Sequence, residues 1–170
     1  MSSNHHEDEV FKAKRRPKNP IKFNITLNEE QKAAKEVILS NPVTVLRGMA
    51  GSGKTLVAVQ TALDLLLTGQ VEKIIITRPT VSKEDIGFLP GDHEDKSNLY
   101  QIPYKHMVKY MFEMPDDNAF EMLYDNLRSQ ETISFWSTSF IRGVTLDNCI
   151  IIVDEFANLN FHELDSIITR

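Results

Sequence analysis

A chain of 170 residues with 41% hydrophobic and 25% charged residues has the composition of a globular domain, and folding at this length removes roughly 70% of the unfolded surface from water. Seven glycines and seven prolines are too few for a low-complexity or collagen-like chain, and no apolar run approaches the ~18 residues of a membrane span. The single cysteine, Cys149, and an N-terminus without an apolar signal core point to a reducing, cytoplasmic setting with no membrane partner; a net charge of −5 excludes a globally basic nucleic-acid coat while permitting local basic grooves.

Residues 1–24 read as a flexible arm, in which the acidic run Glu7, Asp8, Glu9 precedes the basic Lys12, Lys14, Arg15, Arg16 and Lys18. The basic run can hold phosphate backbones, or the neighbouring acids can leave it a solvated tail. Residues 25–170 read as one domain. Thr26 and Glu29 stand at capping-box spacing before a helix that carries Leu27, Gln31, Ala34 and Ile38 on one face and ends ahead of Asn41-Pro42. Residues 43–47 then read as a strand, 54–67 as a helix closed by Gly69, and 73–77 as a buried strand, a unit that implies parallel pairing. Residues 78–101, with Pro79, Gly87, Pro90 and Gly91, read as a long functional loop. Helices are expected over 103–114 and about 118–128, strands over 132–136 and 149–153, and a last helix over 161–169 with Asn160 and Glu163 at capping spacing.

Gly48-Met49-Ala50-Gly51-Ser52-Gly53-Lys54-Thr55 matches G-x-x-x-x-G-K-[ST] between an expected strand and an expected helix. Glycines in such a loop let backbone N–H groups and a helix N-terminus meet a phosphate chain directly. Lys54 would reach the β- and γ-phosphates of ATP, and the Thr55 hydroxyl is a hard oxygen ligand for Mg²⁺. Ile150 to Val153 run into Asp154-Glu155, the pattern of a buried parallel strand that delivers carboxylates at its C-terminal edge, where ligands bind in open α/β sheets. Asp154 would hold the Mg²⁺ hydration shell, and Glu155 would polarise the water that attacks the γ-phosphate; a solvated acidic turn is the plain alternative.

These motifs, with Ile76-Thr77-Arg78-Pro79, Gly87-Phe88-Leu89-Pro90-Gly91-Asp92 followed by Glu94 and Lys96, and Phe140-Ile141-Arg142-Gly143 followed by Thr145-Leu146, resemble in that order the PhoH family of P-loop ATPases over residues 27–170. The resemblance implies a three-layer α/β P-loop NTPase core, similar to the first RecA-like domain of superfamily-one helicases, with a mostly parallel sheet. It implies ATP and Mg²⁺ as cofactors, single-stranded RNA or DNA as partner, a homo-oligomeric ring and a link to phosphate starvation. Gln31, on its own a helix-surface residue, falls where the family's kin recognise adenine through a glutamine amide.

Two departures stand out. The family commonly carries D-E-A-Q-N, whereas this chain reads Asp154-Glu155-Phe156-Ala157-Asn158, so that Ala157 replaces a glutamine. The sequence also stops at Arg170, where family members continue into a further strand; the expectation is a C-terminally incomplete domain. Arg78 and Arg142 are read either as phosphate or nucleic-acid contacts or as surface ion pairs, and Phe88, Tyr100 and Tyr104 as base-stacking candidates, with Trp136 assigned to packing. His93 with Asp92, Glu94 and Asp95 reads as a solvated acidic loop rather than a metal site. A catalytically weak nucleotide-binding interaction module is the alternative function, and a small-molecule kinase ranks behind both.

Overall fold

The computed structural model describes residues 23–79, 93–112, 114, 116–141 and 143–169, with the backbone alone for residues 93–100 and Ser139. The chain divides into two units, residues 1–72 and 73–170.

In the first unit, helix α1 (Glu29–Ser40) starts two residues later than the Thr26 signal suggested. Asn28 is the cap: its side chain accepts from the Gln31 backbone N–H at 2.8 Å, and Gln31 Oε1 accepts from the Asn28 N–H at 3.0 Å. The reciprocal box is thus closed by Asn and Gln, and Asn is at least as good a cap as Thr. Helix α2 (Lys54–Leu67) has the expected bounds. It ends where Gly69 adopts a φ of 69°, with the Gly69 and Gln70 N–H groups donating to the carbonyls of Leu66 and Leu65. The two helices pack together, and across them Lys35 Nζ reaches Asp64 Oδ2 at 2.7 Å, the Asp64 side chain being 1% exposed.

Residues 43–47, expected as a strand, join no ladder among the described residues. Val43 and Val45 stay more than half exposed. Alternating valines favour an extended backbone, but a strand also needs a paired neighbour, which local sequence does not specify.

In the second unit, β1 (Lys73–Thr77), β2 (Ile133–Trp136) and β3 (Cys149–Val153) form a parallel sheet in the order β2-β1-β3. Ile74 is in register with Ile133 on one side and Ile150 on the other, and Thr77 with Trp136 and Val153. The central strand is buried from Ile74 to Thr77, as expected for a parallel strand covered on both faces. The fold class is therefore α/β, and it fits a partial P-loop NTPase core.

Between β1 and β2 lie α3 (His93–Met111) and α4 (Asp117–Ser129). The α3 helix corrects the loop expected up to residue 101 and the start expected at Pro103, since that proline lies inside it. A proline at a first turn and one tolerated in an interior look alike in sequence. Here Tyr104, Val108 and Met111, at i, i+4 and i+7, are all buried, and that packed stripe carries the helix through. Helix α4 is capped by Asp116, which accepts from the Ala119 N–H at 2.7 Å, and buries Phe120 and Tyr124 one turn apart. Between β2 and β3 comes the short α5 (Thr138–Ile141), which the sequence reading did not anticipate. After β3, a 3₁₀ turn over Phe156–Asn158 leads to α6 (Phe161–Ile168), whose Asn160–Glu163 capping box is the expected one. Ile75, Ile141 and Ile167 form the centre of a core that Trp136, Leu146, Cys149 and Leu159 enclose, so Trp136 serves packing as expected.

Candidate functional site

In the first unit, Gly51 and Gly53 have φ of 77° and 82°, the left-handed region that a side chain disfavours. Gly53 is also closely approached: a Cβ there would come within 2.7 Å of Gln31 Nε2. Residues 48–52 are exposed, and Gly53 is the N-cap of α2 without a side-chain cap. The loop therefore offers backbone N–H groups and a helix start to an anion.

Lys54 lies along this loop. Its ammonium donates to the carbonyls of Gly48 at 3.0 Å and Met49 at 2.8 Å. Charge and loop are thus held together, and a phosphate would exchange neutral carbonyl acceptors for a charged one, a stronger partner. Gln31 braces the same loop from α1, its Nε2 donating to the Ser52 carbonyl at 3.0 Å while Oε1 caps the helix. Thr55 sits in the first turn of α2.

In the second unit, the C-terminal ends of β1 and β3 bring three polar side chains together, and Tyr104 of α3 joins them as a fourth. Thr77 and Val153 end the paired strands, and the Asp154 N–H still donates to the Thr77 carbonyl at 2.9 Å. Arg78 and Asp154 consequently emerge side by side at the sheet edge. Arg78 Nε donates to Glu155 Oε2 at 2.9 Å, and a terminal nitrogen of the same guanidinium donates to Oε1. These bonds hold the Arg78 pKa above its ordinary value against the opposing effect of burial. Of the two readings of Arg78, an ion pair is the contact formed here.

Glu155 has φ 53° and ψ 36°, a left-handed conformation that costs a non-glycine residue about 1 kcal/mol or more. Such strain gathers at functional sites. Asp154 accepts the Tyr104 hydroxyl at 2.6 Å on Oδ2 and the Glu155 N–H at 3.1 Å on Oδ1. Burial first, and then the bond to Asp154, push the Tyr104 hydroxyl well above its ordinary pKa. Tyr104 was a base-stacking candidate; at 4% exposure its ring is closed to a base and supports a carboxylate instead.

Sequence reasoning missed this Tyr104–Asp154 pair. The apolar spacing of Tyr104, Val108 and Met111 could have placed the tyrosine inward, but nothing local names a partner 50 positions away. Phe88, Arg142 and the side chains of His93, Asp92, Glu94, Asp95 and Tyr100 lie outside the described residues.

The PhoH-like protein family profile matches residues 25–170. The chain belongs to this family. PhoH proteins are generally ATPases. Relatives include a PhoH-like protein of Mycobacterium leprae, 35% identical over 146 residues that make up 85% of this chain and 39% of that protein. Protein PhoH2 of Bacillus subtilis is 33% identical over 84% of this chain and 33% of its own length, and protein PhoH of Escherichia coli is 31% identical over 84% and 39%. The chain thus matches about a third to two fifths of the length of these relatives. No helix among the described residues is long and apolar enough to cross a membrane.

The residues present suit ATP and Mg²⁺ in kind. Glycine φ angles open the cradle, and the Thr55 hydroxyl in the first unit and the Asp154 carboxylate in the second are each hard oxygens of the kind Mg²⁺ takes alongside phosphate and water. Among the described residues no group of three or more His, Cys, Asp or Glu could hold an ion unaided, and a phosphate-bound Mg²⁺ requires no such group.

Proposed function

We propose that this chain binds ATP·Mg²⁺ and hydrolyses it in the service of a single-stranded nucleic-acid partner. The observation that carries the reading is the loop of residues 48–55, with two glycines in left-handed conformation at the start of α2 and the Lys54 ammonium laid along its carbonyls. Backbone N–H groups of the loop bind the phosphate chain, and Lys54 moves from the Gly48 and Met49 carbonyls to phosphate oxygens. Thr55 and Asp154 hold the metal, directly or through its water. A Mg²⁺ ion held by these residues would supply Lewis-acid stabilisation of the charge that develops on the phosphates during transfer. Glu155, once free of Arg78, orients the attacking water and takes its proton.

The test is steady-state ATP turnover with and without single-stranded RNA or DNA, in the wild type and in Glu155→Gln. The amide keeps the shape of the side chain but cannot take a proton, so nucleotide binding is expected to persist while turnover falls by at least about a hundredfold. Equal turnover in the two proteins contradicts the assignment of Glu155.

Ala157 favours a second reading, a nucleotide-binding module with weak catalysis. It stands in the exposed 3₁₀ turn directly after the acidic pair, where the family commonly has glutamine. Ala157→Gln separates the two readings: a rise in kcat with little change in KM identifies a catalytic centre lacking one amide, because such a group acts mainly in the transition state.

A further inference from the structure

Both oxygens of Asp154 are engaged by hydrogen bonds within the second unit. Its Oδ2 accepts a hydroxyl at 2.6 Å from Tyr104, and its Oδ1 accepts the Glu155 N–H at 3.1 Å. A donor on each oxygen restrains the torsion of the carboxylate, a group with about four acceptor positions in all. The hydroxyl is itself fixed. Tyr104 is almost fully buried on α3, and its ring leans on Phe135 of β2 with centroids 5.4 Å apart. A bond from a buried tyrosine to a carboxylate is charge-assisted and short, and its direction is set by the packing of a helix on a strand rather than by a mobile surface chain.

We propose that Tyr104 is a positioning residue for the metal: its hydroxyl holds Asp154 in the one orientation that receives Mg²⁺ or its water shell, so that metal affinity depends on how α3 packs against β2. This rests on the reading of Asp154 as the metal-holding carboxylate. Partners of this kind, one bond removed from the ion, orient the group that touches it, and their loss typically weakens metal affinity about tenfold or more. Tyr104 touches neither nucleotide nor metal in this account, and its effect passes entirely through Asp154.

The experiment titrates Mg²⁺ against a fluorescent ATP analogue bound to the full chain, without turnover as a readout, in the wild type, Tyr104→Phe and Asp154→Asn. The expected result is that Tyr104→Phe raises the half-saturating Mg²⁺ concentration about tenfold and leaves analogue affinity in EDTA unchanged. A hydroxyl with a purely structural role would lower the melting temperature and leave the Mg²⁺ midpoint in place, which overturns the proposal. If Asp154→Asn shifts the midpoint and Tyr104→Phe does not, the proposal alone falls. If Asp154→Asn shifts nothing, the metal-holding reading falls and the proposal with it. Should Tyr104→Phe not fold, Phe135→Leu loosens the seat of the ring while keeping the hydroxyl; a midpoint raised at least about twofold supports the proposal, and an unchanged one overturns it.

Discussion

Arg78 and Glu155, 77 positions apart in sequence, meet as a two-pronged pair at the ends of adjacent parallel strands. The fork places a guanidinium donor on each oxygen of the carboxylate proposed to activate water, so in that reading Arg78 competes with the water for Glu155. Arg78→Ala is therefore expected to raise ATP turnover measured without nucleic acid by about two- to fivefold. Both side chains are a third or more exposed, so the loss of stability should stay below about 1 kcal/mol. Turnover and a urea melt check the two halves separately. A fall in turnover would assign Arg78 to the phosphates instead.

Lys35 and Asp64 make the opposite kind of pair, since the carboxylate is buried. Taking away the cation removes the Lys35 ammonium from a carboxylate buried in the helix interface. Lys35→Met is expected to cost about 3 kcal/mol or more of unfolding free energy, and adding Asp64→Leu should recover most of it. Equilibrium denaturation of the two single variants and the double variant gives the coupling. Additive losses would show that the ion pair does not bind the two helices together.

The Tyr124 hydroxyl is buried and has no hydrogen-bond partner among the described residues. Burial pushes its pKa up to about 12, against an unfolded value near ~10. Between those values the folded chain keeps a proton that the unfolded chain releases, so stability is full below about pH 10 and falls as pH rises through the folded value. Tyr124→Phe removes an unsatisfied buried group, and at pH 8 it should leave stability unchanged or raise it by up to about 1 kcal/mol. Its urea midpoint should also decline less steeply above pH 10 than that of the wild type. Parallel declines would contradict the burial of the hydroxyl.

What could be read from the sequence was whatever is encoded in contiguous residues. The phosphate loop is a fixed spacing whose conformation follows from its own glycines, and the bounds of α2, β1 and β3 match the sequence reading because each is a long apolar stretch with clear stops. The Asn160–Glu163 box was legible for the same reason. Legibility failed where the outcome depends on distant partners. Residues 43–47 have strand composition but join no ladder among the described residues, α3 runs through Pro103 because Val108 and Met111 are packed, and Tyr104 finds Asp154 across the second unit. Even the acidic pair, recognisable as a motif, gave no sign that each carboxylate is already engaged by a side chain from another element.

In the proposed function, Lys54 and its loop bind the phosphates of ATP. The most direct measurement is a titration of the wild type and of Lys54→Ala with a fluorescent ATP analogue in the presence of Mg²⁺, with thermal melts run alongside. Saturable binding by the wild type is predicted, weakened at least about tenfold in Lys54→Ala by the loss of a charge-assisted contact. The core should stay intact, because among the described residues the ammonium bonds to the exposed loop. Equal affinity in two equally folded proteins would contradict the account.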